Sequence, residues 1–334
     1  MKKNLFLLFC TFFLIILLSE LFIRFFFPQD LQRFWATNEK EYGLMLNKKN
    51  YIHKLTRFKS FKAKYTFGEY HNRVTLKNPD PLKKKILILG ESFTLGWLID
   101  DQNTFAHKLQ MDNLDYNFIN VAVGGWGSEN YTLFTEMFCT DIKPNKIFVF
   151  LNTDDFNRGF ESGFYQEKNN NLVKNKVNFK DNQKPSNFDK KIPLYKFLKS
   201  HSHLFMLTRN VVHNLFKKPK FNPWSSDRYW PRPIKSFNVE YSNKVLEFNK
   251  KVFLHLKSIS TDCNASLHIF NLMWADHSMM LDTNPNKLFL QSANSFFAKN
   301  DIDYYEDNSK MKDLYENPMK YIIDTDFHPN YLGT

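Results

Sequence analysis

Cysteine is scarce in this chain. There are three in 334 residues, and with Cys10 set aside in an apolar run near the N-terminus, the remaining two cannot build a thiolate metal cluster. Cys139 and Cys263 are left to pair or to stay reduced, so cysteine usage leaves the redox compartment open. Internal repeats are absent, which removes solenoids and propellers. A recognisable nucleic-acid module is absent too. Lys and Arg outnumber Asp and Glu by 46 to 34, for a net charge of +12. The lysines, however, are scattered among asparagines and phenylalanines, the pattern of a solvated surface drawn to anionic lipid or glycan. Nothing in the residue pattern calls for a cofactor or a resident metal.

What the chain has is one long apolar run. Leu5–Ile23 is interrupted only by Cys10, Thr11, Ser19 and Glu20, and at about 1.5 Å per residue it reaches about 28 Å, close to the hydrocarbon thickness of a bilayer. A cleaved signal peptide has a shorter apolar centre followed by small residues, whereas here the run continues past Arg24 into three phenylalanines. Bulky Phe9 before Cys10 speaks against lipoprotein processing. The reading is an uncleaved single-pass membrane anchor over residues 1–27. Lys2 and Lys3 before the run nearly balance Arg24 and Arg33 after it, so the orientation rests on the commonness of signal anchors: N-terminus inside, remainder extracytoplasmic (periplasmic). Residues 28–81, polar, basic and aromatic after Pro28, read as a loosely packed membrane-proximal stalk.

Beyond the stalk, short apolar runs alternate with helical spacings. Ile86–Leu89, Phe118–Val123 and Lys146–Leu151 read as buried parallel strands, joined by a helix around Phe105 and Leu109 and another over Ser128–Cys139. Residues 159–235 interrupt that rhythm with an Asn- and Lys-rich segment, an apolar helix around Leu194–Phe216 and an aromatic, proline-broken stretch. This is an insertion without alternating strands, placed where it could cover a crevice. Glu240–Ile259, Leu267–Met273, Leu288–Ala298 and Ile302–Tyr305 then give helix, strand, helix and strand. The fold class is α/β: a three-layer α/β/α sandwich with a parallel sheet over residues 82–334, plus one N-terminal transmembrane helix.

Polar groups gather where the strands end. Ser92 lies just past Ile86–Leu89, where a serine either caps the following helix or faces the ligand crevice of an α/β sheet. Gly124 and Gly125 follow the second strand, and Asn152, Asp154 and Asp155 the third. Asp326 and His328 lie near the C-terminus. Attack by a serine on an ester needs a base, a partner that orients the base, and donors for the oxyanion. Asp324, Asp326 and His328 would share one face of an extended segment, which could also build a metal site, but no second cluster supplies the remaining ligands.

In order along the chain, GESFTLGWLIDDQNTF, NVAVGGWG, PNKIFVFLNTDDF and DTDFHPN resemble the four sequence blocks of the SGNH (GDSL-type) hydrolases, over about Lys85–Leu332. The resemblance implies a flavodoxin-like sheet and a catalytic set of Ser92 as nucleophile, His328 as base and Asp326 as its orienting partner. It also implies an oxyanion hole from Ser92, Gly125 and the third-block residue, Asp154 or Asn152. Two positions depart from the family pattern. Glu91 stands where Asp is usual, and Asp154 where Asn is usual, and an ionised carboxylate repels an oxyanion that an amide would bind. The implied activity is cleavage of small acyl esters on a glycan or lipid, with acyl transfer to an envelope polysaccharide, or a lapsed glycan-binding protein, as alternatives. Trp126, Trp224, Tyr229 and Trp230 are candidate sugar platforms.

Overall fold

The computed structural model describes residues 2–29, 31, 35–39, 43–57, 61–152, 154–175, 194–216, 239–272, 285–305, 322–323 and 326–329. They fall into two compact units, one of Met1–Phe34, Lys54–Ala63 and Lys180–Pro223, the other of Trp35–His53, Lys64–Phe179 and Trp224–Thr334.

The first unit contains α1 (Lys2–Phe26). Its window Lys3–Phe26 is the one helix among the described residues long and apolar enough to cross a membrane. Side chains from Leu5 to Leu18 are largely exposed.

The second unit begins with two short antiparallel strands, β1 (Ala36–Asn38) and β2 (Met45–Asn47). β3 (Tyr51–Arg57) and β4 (Phe61–Phe67) pair as a two-stranded ribbon, of which Lys54–Ala63 belongs to the first unit and the remainder to the second. Residues 28–81 were expected to pack loosely, and those of the second unit do not. Leu44, Leu46, Tyr65, Phe67 and Arg73 are buried, and the backbone of Arg73 bridges to Asn120.

A five-stranded parallel sheet organises this unit. Its strands are β5 (Lys84–Leu89), β6 (Tyr116–Asn120), β7 (Lys146–Leu151), β10 (Ser266–Asn271) and β11 (Asp303–Tyr305). The spatial order is β11-β10-β7-β5-β6, the doubly wound order in which the chain leaves the first strand to one side and returns past it to the other. The apolar runs are unbroken because both faces are covered. On one face Leu87, Leu89, Ile147, Val149 and Ile269 pack against α4 (Ser128–Ile142), α8 (Val239–Asp262) and α9 (Pro285–Lys299). On the other, Ile86, Ile88, Phe118 and Phe150 meet Ala106 of α3 (Phe105–Asp112). The three layers are those expected from sequence.

Details differ. The insertion does carry strands: β8 (Tyr165–Lys168) and β9 (Asn171–Lys174) form a hairpin turned by Asn169 and Asn170, both at positive φ as a tight two-residue hairpin turn requires. The single helix expected around Leu194–Phe216 is two, α6 (Tyr195–His201) and α7 (His203–Phe216), divided where Ser202 is extended. Both belong to the first unit. Cys139 on α4 and Cys263 after α8 form a disulfide with Cα atoms 6.2 Å apart.

Candidate active site

The order of the sheet places its switch point between β5 and β7, and ligands of open α/β sheets bind outside the carboxyl ends there. The two turns at that point run from Gly90 to Ser92 and from Asn152 to Asp155.

Ser92 opens the four-residue helix α2 (Ser92–Leu95). A Cβ on Gly90 would stand 2.1 Å from Thr94 Oγ1, so the strand can turn this sharply into the helix only with glycine there. Glu91 is buried and caps the helix. Its carboxylate accepts the N–H of Phe93 at 2.8 Å and also the N–H and hydroxyl of Ser92. At the other end Gly96 is left-handed, with φ 76°, and Trp97 N–H closes on Ser92 O at 3.0 Å. Arg73, almost fully buried, holds this end from below. Its guanidinium donates to the carbonyls of Leu95 at 2.6 Å, Gly96 at 2.7 Å and Ile99, and to Asp101 at 3.0 Å. It also lies over the Tyr65 ring at 4.2 Å.

The glycine turn after β6 adjoins the nucleophile turn. A Cβ on Gly124 would be 3.6 Å from Ser92 Cβ, and one on Gly125, at φ 86°, would meet nothing within 4 Å. The Gly125 backbone therefore borders open space beside Ser92. Trp126 is no platform: it is buried against Tyr131 and Phe134 and donates to Met45 O at 2.8 Å. Trp224, Tyr229 and Trp230 lie outside the described residues.

After β7, Asn152 is half-buried and Asp154 begins α5 (Asp154–Ser162); the Asp154 side chain lies outside the described residues. The neighbouring Asp155, on which the sequence reading placed no weight, is fully buried. Its Oδ2 accepts Tyr131 Oη–H and Asn152 N–H, both at 2.8 Å. Burial, and after it the charge of Glu91, push its carboxyl well above the usual carboxylate range. Arg158, one turn on, stands 3.5 Å from Glu91 Oε2 and 3.6 Å from Asp155 Oδ1, which ties the β5 and β7 turns together.

The C-terminal segment reaches the same place. β13 (Asp326–Pro329), paired antiparallel with β12 (Ile322–Ile323), lies against α2 with Cα atoms within 8 Å. Asp326 and His328 are two apart on this strand and so occupy one face of it; their side chains lie outside the described residues, as does Asp324.

A second Ser–His–Asp set occurs elsewhere. Ser266 Oγ is 2.8 Å from His268 Nε2, and His268 Nδ1 is 3.0 Å from Asp303 Oδ2. It starts at the first residue of β10, on the amino side of the sheet, and Ser266 N–H is committed to Asn145 O at 3.1 Å. With its own N–H engaged in the sheet and its place at the amino end of the strand, Ser266 belongs to a hydrogen-bonded edge, away from the carboxyl-end crevice where ligands of such sheets bind.

No family model matches the chain, and no curated protein matches it. Among solved structures it is similar to TesA, at 10% identity over 75% of this chain and 91% of that one, with a TM-score of 0.40. It is also similar to the psychrotrophic esterase EstA from Pseudoalteromonas sp., at 11% identity over 75% and 90% of the two chains, TM-score 0.40. A third is the acetyl xylan esterase AlAXEase, at 11% identity over 75% and 93%, TM-score 0.37.

Proposed function

We propose that the chain is a serine-dependent acyl-ester hydrolase of the SGNH type, held to a membrane by α1. The observation that carries this is the approach of β13, with Asp326 and His328, to the helix that Ser92 opens at the switch point of the sheet. Three groups that ester cleavage requires, distant in sequence, would then meet beyond the carboxyl end of β5.

In this reading His328 takes the Ser92 hydroxyl proton as Oγ attacks the acyl carbon, and Asp326 orients the imidazole and stabilises its charged form. The oxyanion is bound by Ser92 N–H and Gly125 N–H, with Asn152 or Asp154 at the third position. His328 returns the proton to the leaving alcohol, and a second cycle with water frees the acid. Glu91 holds both the N–H and the hydroxyl of Ser92, so the productive state requires that carboxylate to move, and Arg158 is a cation within reach. The substrate class is a small acyl group on a glycan or lipid at the extracytoplasmic surface. The Cys139–Cys263 disulfide supports that side, since such bonds persist in oxidising compartments.

Incubation of the full chain with a fluorophosphonate and mass spectrometry of the labelled peptide tests this. Label is expected on Ser92 and lost in Ser92→Ala with the unfolding temperature unchanged. Label on Ser266 or another serine would refute the assignment, and no label with no turnover of any acyl ester would favour the lapsed glycan-binding alternative.

A further inference from the structure

We infer that α6 and α7 form a lipid-contacting foot, seated in the bilayer interface beside α1 with an apolar stripe against the acyl chains. The inference rests on the reading of α1 as a membrane span.

Glu20 is the only acidic residue of α1 and lies three residues before Ile23, about 4.5 Å inside the end of the apolar run. A carboxylate at that depth is costly unless paired. It accepts hydrogen bonds from Ser202 Oγ at 2.8 Å, His203 N–H at 3.0 Å and Leu204 N–H at 2.9 Å, the opening of α7, and from Arg24 at 3.0 Å. Glu20 thus caps a helix that begins 183 residues later. Arg24 donates to the carbonyl of His201 at 2.8 Å, at the end of α6, and Gln29 N–H donates to His203 Nδ1 at 2.8 Å. The junction of α6 and α7 is therefore fastened to the last turns of α1, at the edge of the hydrocarbon.

From that junction α7 runs for 14 residues, about 21 Å, too short for a second span. One face is buried at Met206. On the other, Thr208, Val211, Val212 and Leu215 recur at i, i+3, i+4 and i+7, and the last three are 49%, 47% and 76% exposed. Phe197 on α6 is 56% exposed. Neither helix carries an acidic residue, while Lys199 and Arg209 supply positive charge. An apolar stripe with basic flanks, continuous with a membrane span, fits acyl chains beneath anionic headgroups.

The test uses the full chain with Cys10→Ser, in vesicles of phosphatidylcholine with a minor share of phosphatidylglycerol. Nitroxide labels are placed singly at Leu14, Val212, Leu215 and, as a water-facing reference, Lys168. Val212 and Leu215 labels should resemble Leu14, with collisions shifted several-fold from a water-soluble nickel chelate toward oxygen relative to Lys168. Glu20→Ala should abolish this shift at Val212 and leave Leu14 unchanged; a Val212 label that stays lipid-like in that variant removes Glu20 from the docking. Water-like values at Val212 and Leu215 with a lipid-like Leu14 overturn the foot alone, whereas a water-like Leu14 overturns the span and the foot with it. Labels shielded from both reagents would mean that a second copy or another protein covers the stripe, and would overturn the lipid assignment.

Discussion

Arg73 lies outside the four blocks that point to chemistry, yet replacing it should disable the site. Its guanidinium satisfies the carbonyls of Leu95, Gly96, Ile99 and Lys64 and pairs with Asp101. Three of those carbonyls are at or just after the end of α2, a helix of only four residues. Arg73→Ala leaves buried acceptors without donors at about 1–3 kcal/mol each. Water entering the vacated volume recovers part of this, so a net cost of about 4 kcal/mol is expected, in line with other broken buried charge networks. That corresponds to a fall in unfolding temperature of about 8–16 °C for a domain of this size. Arg73→Lys keeps the charge but offers three donors from one atom in place of a planar fork, and should lose about half as much. The assay is thermal unfolding of the detergent-solubilised full chain, together with the rate of fluorophosphonate labelling at Ser92. Labelling should slow by about 10²-fold in Arg73→Ala below its unfolding temperature, the scale of a 1 Å misplacement of a catalytic group. A fall of less than about 3 °C, or about 1 kcal/mol by the same conversion, with labelling unchanged, would show that these hydrogen bonds neither support α2 nor position its serine.

Glu129, buried where it accepts Phe164 and Tyr165 N–H at 2.9 and 3.0 Å, has its carboxyl raised from 4.5 to about 7 by burial. The folded chain then holds a proton that the unfolded chain has released, so stability should fall as pH rises from about 4.5 to 7, by about 3 kcal/mol at about 1.36 kcal/mol per pH unit, and level off above. Glu129→Gln should flatten that slope in chemical denaturation, and parallel slopes for the two proteins would contradict the assignment. Replacing both Cys139 and Cys263 by Ala opens a crosslink spanning 124 residues and should cost about 2–5 kcal/mol; reductant should then no longer affect the unfolding midpoint, and a residual effect would locate the sensitive bond elsewhere. Glu91→Gln should raise esterase turnover about tenfold, because a neutral amide holds Ser92 N–H less firmly than a carboxylate by about 1–2 kcal/mol. A hundredfold loss would instead make Glu91 necessary to the chemistry.

The sheet was legible because parallel strands covered on both faces are unbroken apolar runs with charge before them and turn residues after. Lys146–Leu151 appears in the structure with the boundaries read from sequence. The ribbon strand β4 left an available signal: in FKAKYTF, Ala63, Tyr65 and Phe67 are buried and Lys62 and Lys64 exposed, a strict alternation within a stretch read as stalk. Other features had no local signal. Trp126 between glycines looks like a loop aromatic, and its burial depends on Met45, 81 residues earlier. The role of Arg73 depends on carbonyls 22 to 26 residues ahead. Asp155 sits beside Asp154 in one acidic pair, and nothing local in the sequence marks it for burial against Tyr131 on α4. Ser92 was located by its place at a strand end, but the curl of Glu91 onto it was not, since Glu is one methylene longer than the Asp of the pattern this block resembles and nothing local tells how that extra reach is used.

That methylene bears on how the site could be switched on by its own substrate. Burial and the charge of Glu91 raise the Asp155 carboxyl well above the usual carboxylate range, and Arg158 stands 3.5 Å from Glu91 Oε2. The Glu91 carboxylate holds the Ser92 N–H and hydroxyl, which satisfies its hydrogen bonding but puts a negative charge where the proposed reaction would develop another. Two like charges within hydrogen-bonding distance of one N–H repel by several kcal/mol at the effective dielectric of a protein interior. On the proposed reading, a substrate carbonyl oxygen seated at Ser92 N–H would have to displace Glu91 toward Arg158 before attack, and the same displacement would free the hydroxyl, so that the oxyanion develops only after the carboxylate has left. Release of the nucleophile and binding of the substrate carbonyl would then be coupled through one side chain.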